Sequence, residues 1–297
     1  MPQFNQVAII YNPNSTGDAP RNAEGLAADL KQSLSGIGIT LLPTERAGHA
    51  ANLAYDFARK HQRPLIISAS GDGGYNEVVN GAMKAQSEGA QPICAVLPSG
   101  NANDHARTMH SKPLVELIHN DAVTHLDLLK VSYVINQTPT VRYAHSYAGI
   151  GLTPTVAVEL NKHTLNSLKE AFIVVKTFWH YKPVKILVED KKVQVDSLIC
   201  STIPEMAKVL SFSKKAHPQD GLFELTVFEH NRKLLLLLRL LKGVIGHLGA
   251  EKRLKSYAFT VVRPTPLQCD GEVIDLPKNT DVRIEICPGL LKTIALA

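Results

Sequence analysis

Residues 64–81 read PLIISASGDGGYNEVVNG. The first seven, Pro64 to Ser70, are the apolar, β-rich run of a buried strand. Three glycines around Asp72 follow, and NEVVNGAMKAQ then has the spacing of a helix that begins near Asn76. A strand feeding a helix through a short turn is the repeating unit of a parallel sheet with helices on its faces. Glycine lets the main chain turn sharply and lets a ligand approach it. Two readings of Ser70–Glu77 stay open on these residues alone. One is a plain strand–helix turn with Asp72 as a cap. The other is a phosphate site built from free N–H groups at a helix start, with Asp72 orienting a metal ion, a proton or a substrate hydroxyl. No GKS or GKT ending is present, so this is not an ordinary P-loop.

The same alternation extends to either side. QVAIIYN (Gln6–Asn12), GITLLPT and PICAVLPSG read as strands, and Asn22–Gly36, HAANLAYDFARKH and the segment opened by NDHARTM read as helices. In such sheets ligands sit at the carboxyl ends of the strands, where Gly71–Gly74 and Ser99–Asn101 both fall. Near His125 the pattern changes. HLDLLKVSYVI, TVRYAHSYAG, PVKILVED, KVQVDSLICST, LFELTVFE, SYAFTVVRP, LQCDGEVIDL and DVRIEICPG are short strands separated by turn residues. Thr155–His163, Ser167–His180 and Arg232–Gly246 have helical spacing. The expectation is an α/β N-terminal domain with a parallel sheet and flanking helices, residues 1–124, rejoined by residues 288–297. A mainly antiparallel β-sandwich domain is expected over residues 125–287.

At 297 residues, 44% hydrophobic and 20% charged, the chain has the composition of a soluble globular protein. The net charge of +5 suits an anionic ligand or lipid surface. Cys94, Cys200, Cys269 and Cys287 form no CxxC pair, which excludes zinc-ribbon and thioredoxin-like readings and makes a reduced, cytoplasmic setting the default. The N-terminus lacks the basic and apolar regions of a signal peptide. The greasiest stretch, KLLLLLRLLKGVIGHL, is too short and too charged to span a bilayer.

Two further strand ends carry polar turns. Leu97–Arg107, LPSGNANDHAR, offers Asn103 or Asp104 as a helix cap, or Asn101 as an amide for phosphate or purine. Tyr11–Asp18, YNPNSTGD, is a turn after the first strand. Together with Ser70–Gly81 these stretches resemble the pattern NPxSG, GGDGTxNEVxNG, PxGTxND of the catalytic domain shared by diacylglycerol kinases, sphingosine kinases and bacterial soluble lipid kinases, within the NAD kinase superfamily. The resemblance continues through Asp127 in HLDLLKV, the YAGIGLTPTV segment, HPQDGLFEL and QCDGEVI.

That resemblance implies a two-domain enzyme that moves the γ-phosphate of ATP onto the hydroxyl of diacylglycerol or a related lipid. ATP is expected against Asn12, Ser15, Thr16, Thr44, Ser70, Gly71, Asp72, Gly73, Gly74, Tyr75, Asn76, Glu77, Ser99, Gly100, Asn101 and Asp104. Glu272 is the implied proton acceptor, with Asp72 as rival or partner and Asp270 beside it in the DGE motif. Asp72 and Glu272 are expected to converge on one cleft. A structural Mg²⁺ is implied at Asp220, with the backbone carbonyls of His217 and Leu222. The chain departs from the pattern at Ser70, Gly74, Asn101 and Asp18, and the last shifts the need for a cation near the phosphates to Arg21 or Lys130. The basic, leucine-rich segment after Asn231 suggests peripheral contact with an anionic membrane. No nucleic acid is implied, and a homodimer is left open. Alternative readings are an NAD kinase-like phosphotransferase, or a regulator that binds nucleotide or lipid without turnover.

Overall fold

The computed structural model describes residues 3–15, 17–34, 36–152, 154–155, 177–206, 210–211, 215–231 and 252–295. Thr16 and the helical candidates over 156–163, 167–176 and 232–246 lie outside the described residues. Residues 177–180 are helical. Among the described residues no helix is long and apolar enough to cross a membrane. The chain divides into two compact units, residues 1–127 with 288–297 and residues 128–287.

Unit 1 begins with four parallel strands, β1 (Gln6–Tyr11), β2 (Gly38–Pro43), β3 (Pro64–Ser70) and β4 (Ile93–Pro98). Their order is β2-β1-β3-β4. Helices α1 (Ala19–Ser33), α2 (His49–Lys60), α3 (Asp72–Ser87), α4 (Asp104–Met109) and α5 (Leu114–His119) connect and follow them. Strands β1, β3 and β4 are apolar on both faces because both are covered, while the edge strand β2 is only partly buried. Val7, Ile9, Leu65 and Ile67 pack with Leu26 and Leu30 of α1 and Leu117 of α5. Ala8, Ile10 and Ile66 pack on the other face with Ala54 and Phe57 of α2 and Val78 of α3.

Helix α3 starts at Asp72, four residues before the position read from the helical spacing. The glycine-rich stretch is thus the first turn of the helix rather than a loop ahead of it. First-turn N–H groups have no intrahelical acceptor, so glycine weakens no ladder there.

Unit 2 is rich in antiparallel strands. They are β5 (Val123–Ile135), β6 (Thr138–Ala144), β7 (Tyr147–Gly151), β8 (Val184–Val188), β9 (Lys191–Ser201), β10 (Glu205–Met206), β11 (Leu210–Ser211), β12 (Phe223–Glu229), β13 (Lys252–Leu254), β14 (Ser256–Val261), β15 (Thr265–Cys269), β16 (Glu272–Leu276) and β17 (Thr280–Ile294). Strand β9 pairs antiparallel with β7, β8 and β12, and β15 pairs antiparallel with β7 and β16. Leu129, Val131, Ile150, Val195, Leu198, Phe223, Phe259 and Leu267 form the core of this unit. Strand β5 enters from unit 1, and β17 leaves to end in unit 1. There Thr293 lies beside Cys94 of β4, parallel to it, and Gly289 N–H donates to Asp127 Oδ1 at 2.7 Å.

Candidate active site

Three of the polar turns singled out in the sequence meet in unit 1. They follow β1, β3 and β4, neighbours in the sheet, so topology alone brings their carboxyl ends together. Ser99 N–H donates to Ser70 O at 2.9 Å, Ser15 Oγ donates to Ser99 O at 3.3 Å, and Asn22 Nδ2 of α1 donates to Ser99 Oγ at 3.0 Å. A Cβ on Gly17 would stand 2.0 Å from Ser99 O, and one on Gly100 would stand 2.4 Å from Gly71 Cα. The turns touch backbone to backbone, which only glycine allows. Thr44 joins the group through its N–H, which donates to Tyr11 O at 2.8 Å. Asn12 and Asn101 are exposed, and Ser15, Gly71, Gly73, Gly74 and Gly100 are partly so.

The acidic residues of this group serve the fold. Asp72 is buried, and its two carboxylate oxygens accept from the N–H groups of Asp104 (3.0 Å) and His105 (3.1 Å) at the start of α4. Glu77, also buried, does the same for α2, accepting from Gly48 N–H at 2.8 Å and Ala50 N–H at 3.2 Å. Helix α3 therefore carries two carboxylates that cap two other helices, where negative charge is favoured. The Asp104 side chain is buried and bonded to Arg107 Nη2 at 2.9 Å. Tyr75 is fully buried. Thr293 Oγ1 donates to Cys94 O at 2.9 Å, which leaves it to accept from Tyr75 Oη at 3.1 Å. Asn76 is fully buried as well and accepts from Asn80 Nδ2. Among the described residues of this set, those that present atoms outward are Asn12, Ser15, Thr44, Ser70, Asn101 and the glycine backbone. Arg21 is exposed, with Asp18 at 3.8 Å.

In unit 2 the DGE motif forms the hairpin turn between β15 and β16. Asp270 is fully buried, with Oδ1 accepting from Ser146 N–H (2.9 Å) and Tyr147 N–H (3.0 Å) and Oδ2 from His145 N–H (2.9 Å). His145 Nε2 lies 3.2 Å from Asp270 Oδ2, and its Nδ1 lies 2.8 Å from Ser146 Oγ. The network anchors the hairpin to the bend between β6 and β7. Glu272, two residues on, is partly exposed at the head of β16, opposite Cys269. Burial pushes the Cys269 thiol up, with Asp270 and Glu272 adding to the rise, so this cysteine stays protonated.

Around the Asp220–Gly221 turn, Asp220 Oδ1 accepts from Leu222 N–H at 3.0 Å and Oδ2 is bonded to Arg253 Nη2. His217 is exposed, and its carbonyl accepts from Asp220 N–H at 3.4 Å. Arg253 Nε also donates to Glu224 Oε1 at 3.1 Å. Burial raises the Glu224 pKa and Arg253 opposes the rise. Among the described residues no cluster of three His, Cys, Asp or Glu side chains is set to hold a metal ion.

Asn22, His145, Thr293 and Arg253 were not singled out in the sequence. Each acts on a partner between 33 and 199 positions away or in another turn, and no local pattern marks such partners.

Residues 6–131 match the family described as the diacylglycerol kinase catalytic domain. A diacylglycerol kinase of Staphylococcus haemolyticus (strain JCSC1435) is 33% identical over 135 residues, covering 43% of this chain and 39% of the relative. A diacylglycerol kinase of Staphylococcus aureus (strain MRSA252) is 34% identical over 121 residues, 41% of this chain and 35% of the relative. The matched stretch thus spans less than half the length of these relatives. The solved structure of a diacylglycerol kinase from Bacillus anthracis str. Sterne superposes with a TM-score of 0.72 at 20% identity, over 99% of this chain and 98% of that one. Yeast NADH kinase complexed with NADH gives 0.52 at 10% identity, over 98% and 82%. At these identities the two structures speak for the fold.

Proposed function

From the premise that residues 6–131 match the diacylglycerol kinase catalytic domain, we propose that this chain transfers the γ-phosphoryl group of ATP to the hydroxyl of diacylglycerol or a related lipid. Unit 1 is the nucleotide-binding domain on this reading, and unit 2 supplies the acceptor side. The observation that carries it is the meeting of the three turns after β1, β3 and β4 at the N-terminus of α3. Backbone N–H groups of Gly73 and Gly74, with the amides of Asn12 and Asn101, are suited to phosphate oxygens.

In the proposed reaction the lipid hydroxyl oxygen attacks the γ-phosphorus. The bond to the β-phosphate oxygen breaks, ADP departs, and the hydroxyl proton goes to a carboxylate. Glu272 is the better acceptor. It is partly exposed and so within reach of a substrate hydroxyl, whereas Asp72 and Asp270 are buried. Asp270 is then a positioning residue for the hairpin that carries Glu272.

Among the described residues no set fits a resident Mg²⁺. Asp72, Glu77 and Asp104 are bonded within unit 1, and Asp220 is bonded to Arg253. No step above passes through a protein-held metal. The acceptor is a membrane lipid, so the reading includes peripheral, reversible contact with an anionic surface. Co-sedimentation with phosphatidylglycerol vesicles at low salt checks that part.

The deciding experiment incubates the purified chain with γ-labelled ATP and either a lipid panel or NAD. Labelled lipid supports the proposal. The NADH kinase fold likeness motivates the second arm, and labelled NADP in place of labelled lipid replaces the proposal with an NAD kinase-like activity. ATP binding with no transfer to either acceptor favours a regulator.

A further inference from the structure

The Asp220–Gly221 turn of unit 2 is where the family resemblance leads one to expect a divalent cation. Independently of the proposed activity, we propose that the cation of this turn is the guanidinium of Arg253. Strands β12 and β13 pair with Glu224 directly opposite Arg253, which sets the arginine between Glu224 and the turn just ahead of β12. Its Nη2 bonds Asp220 Oδ2 and its Nε donates to Glu224 Oε1 at 3.1 Å. The remaining Asp220 oxygen takes Leu222 N–H at 3.0 Å. A guanidinium is planar, permanently charged and forked, so one side chain serves two carboxylates at once. A hard divalent ion needs the same Asp220 oxygen and a shell of about six oxygens. It would also stand beside a fixed positive charge, and the two cations exclude each other.

The Glu224 side chain is 1% exposed, and its second oxygen, Oε2, is buried without a hydrogen-bond partner among the described residues. Without the guanidinium, Asp220 and Glu224 lose the counter-charge they share, next to the backbone carbonyls of the turn. That donor set suits a hard cation. The wild-type chain therefore leaves this turn metal-free, and Arg253→Gln turns it into a divalent-metal site.

The test uses the full chain without nucleotide, so phosphoryl transfer is not read and the activity proposal stands or falls separately. Mn²⁺ binding is followed by electron paramagnetic resonance, and thermal unfolding is compared in excess Mg²⁺ and in chelator. The wild-type melt is expected to be the same in both. Arg253→Gln is expected to gain at least about tenfold in Mn²⁺ affinity, about 1.4 kcal/mol, and to melt higher in Mg²⁺ than in chelator. Adding Asp220→Asn removes both gains. A wild-type melt that falls in chelator and loses that response in Asp220→Asn overturns the proposal, as does a folded Arg253→Gln with no gain. If Arg253→Gln fails to fold, the wild-type and Asp220→Asn melts still decide.

Discussion

Gly74 has no room for a side chain. A Cβ there would stand 2.6 Å from Ser70 Oγ and 2.7 Å from Ser70 Cβ. Ser70 is itself held, bonded to Ser68 Oγ at 2.7 Å and donating to Gly71 O at 2.9 Å. The family pattern has glycine and threonine at these two positions, and this chain has serine and glycine. The swap moves one hydroxyl across a single contact, so the two departures are one coupled change. Helix propensity alone favours Gly74→Ala, by less than the roughly 1 kcal/mol of a helix interior because Gly74 lies in the first turn. The contact reverses the sign, and overpacking typically costs about 1–3 kcal/mol. Gly74→Ala is expected to lower stability in denaturant titrations, and adding Ser70→Gly is expected to restore it. A stabilised single mutant would sink the steric account. Glu272→Gln separates chemistry from folding at one atom. The proposed role predicts a loss of about 10²–10⁴-fold in kcat with an unchanged melt and unchanged ATP affinity. Full activity in that variant would remove Glu272 from the mechanism.

Helix α3 organises unit 1 because two of its carboxylates end other helices. Asp72→Asn and Glu77→Gln each exchange a charged acceptor for an amide whose NH₂ faces a backbone N–H. A loss of about 1–3 kcal/mol is expected for each. Hydrogen exchange tells them apart. Asp72→Asn should speed exchange first in α4, and Glu77→Gln first in α2, while an even rise across unit 1 argues against separate caps. The existence of α1 to α4 and β1 to β4 was legible in the sequence because burial imposes local periodicities of 3.6 and 2. The start of α3 was not, because spacing begins to count only where side chains are buried, and glycine carries none. The work of Asp72 and Glu77 was hidden too. Their amide partners lie 27 to 33 residues away, and a carboxylate beside glycines looks the same whether it faces a ligand or a neighbouring helix. The six-residue α5 was not legible because, unlike α4 with its Asn103–Asp104 start, it follows Pro113 and has no polar cap to mark it.

The chain leaves unit 1 after Asp127 and returns at Pro288. Its last stretch brings Thr293 to β4 and to Tyr75, and buries Ile294 and Ala295. A chain ending at Cys287 is expected to lose the cooperative melt of unit 1, read as lost amide protection in β3 and β4. Retained protection would show that the return stretch is dispensable. His110 also depends on it. Burial pushes its pKa below the ordinary value, partly offset by a backbone hydrogen bond with Ile294. The folded form prefers the neutral ring, so this stability is fully present above the unfolded pKa of about 6.5 and falls as pH drops below it. His110→Gln should flatten that slope in a series of melts against pH, and an unchanged slope would discount His110. The two-part fold class was legible from the change of periodicity near His125. Contacts such as Asp270 with His145 were not, since 125 positions separate the residues and only folding joins them.

The bare backbone seam at Gly17 and Gly100 bears on how a deep mutational library of this protein would be interpreted. Codons at both positions would be depleted under any selection, including one for soluble expression alone, because even a methyl group overlaps a main-chain atom. Asn101, exposed beside them, carries no such burden, whereas Asn12 Oδ1 also holds its own turn by accepting from Asn14 N–H at 2.9 Å. Intolerance at the glycines would report the scaffold, and depletion at Asn101, under selection for turnover, would report the ligand.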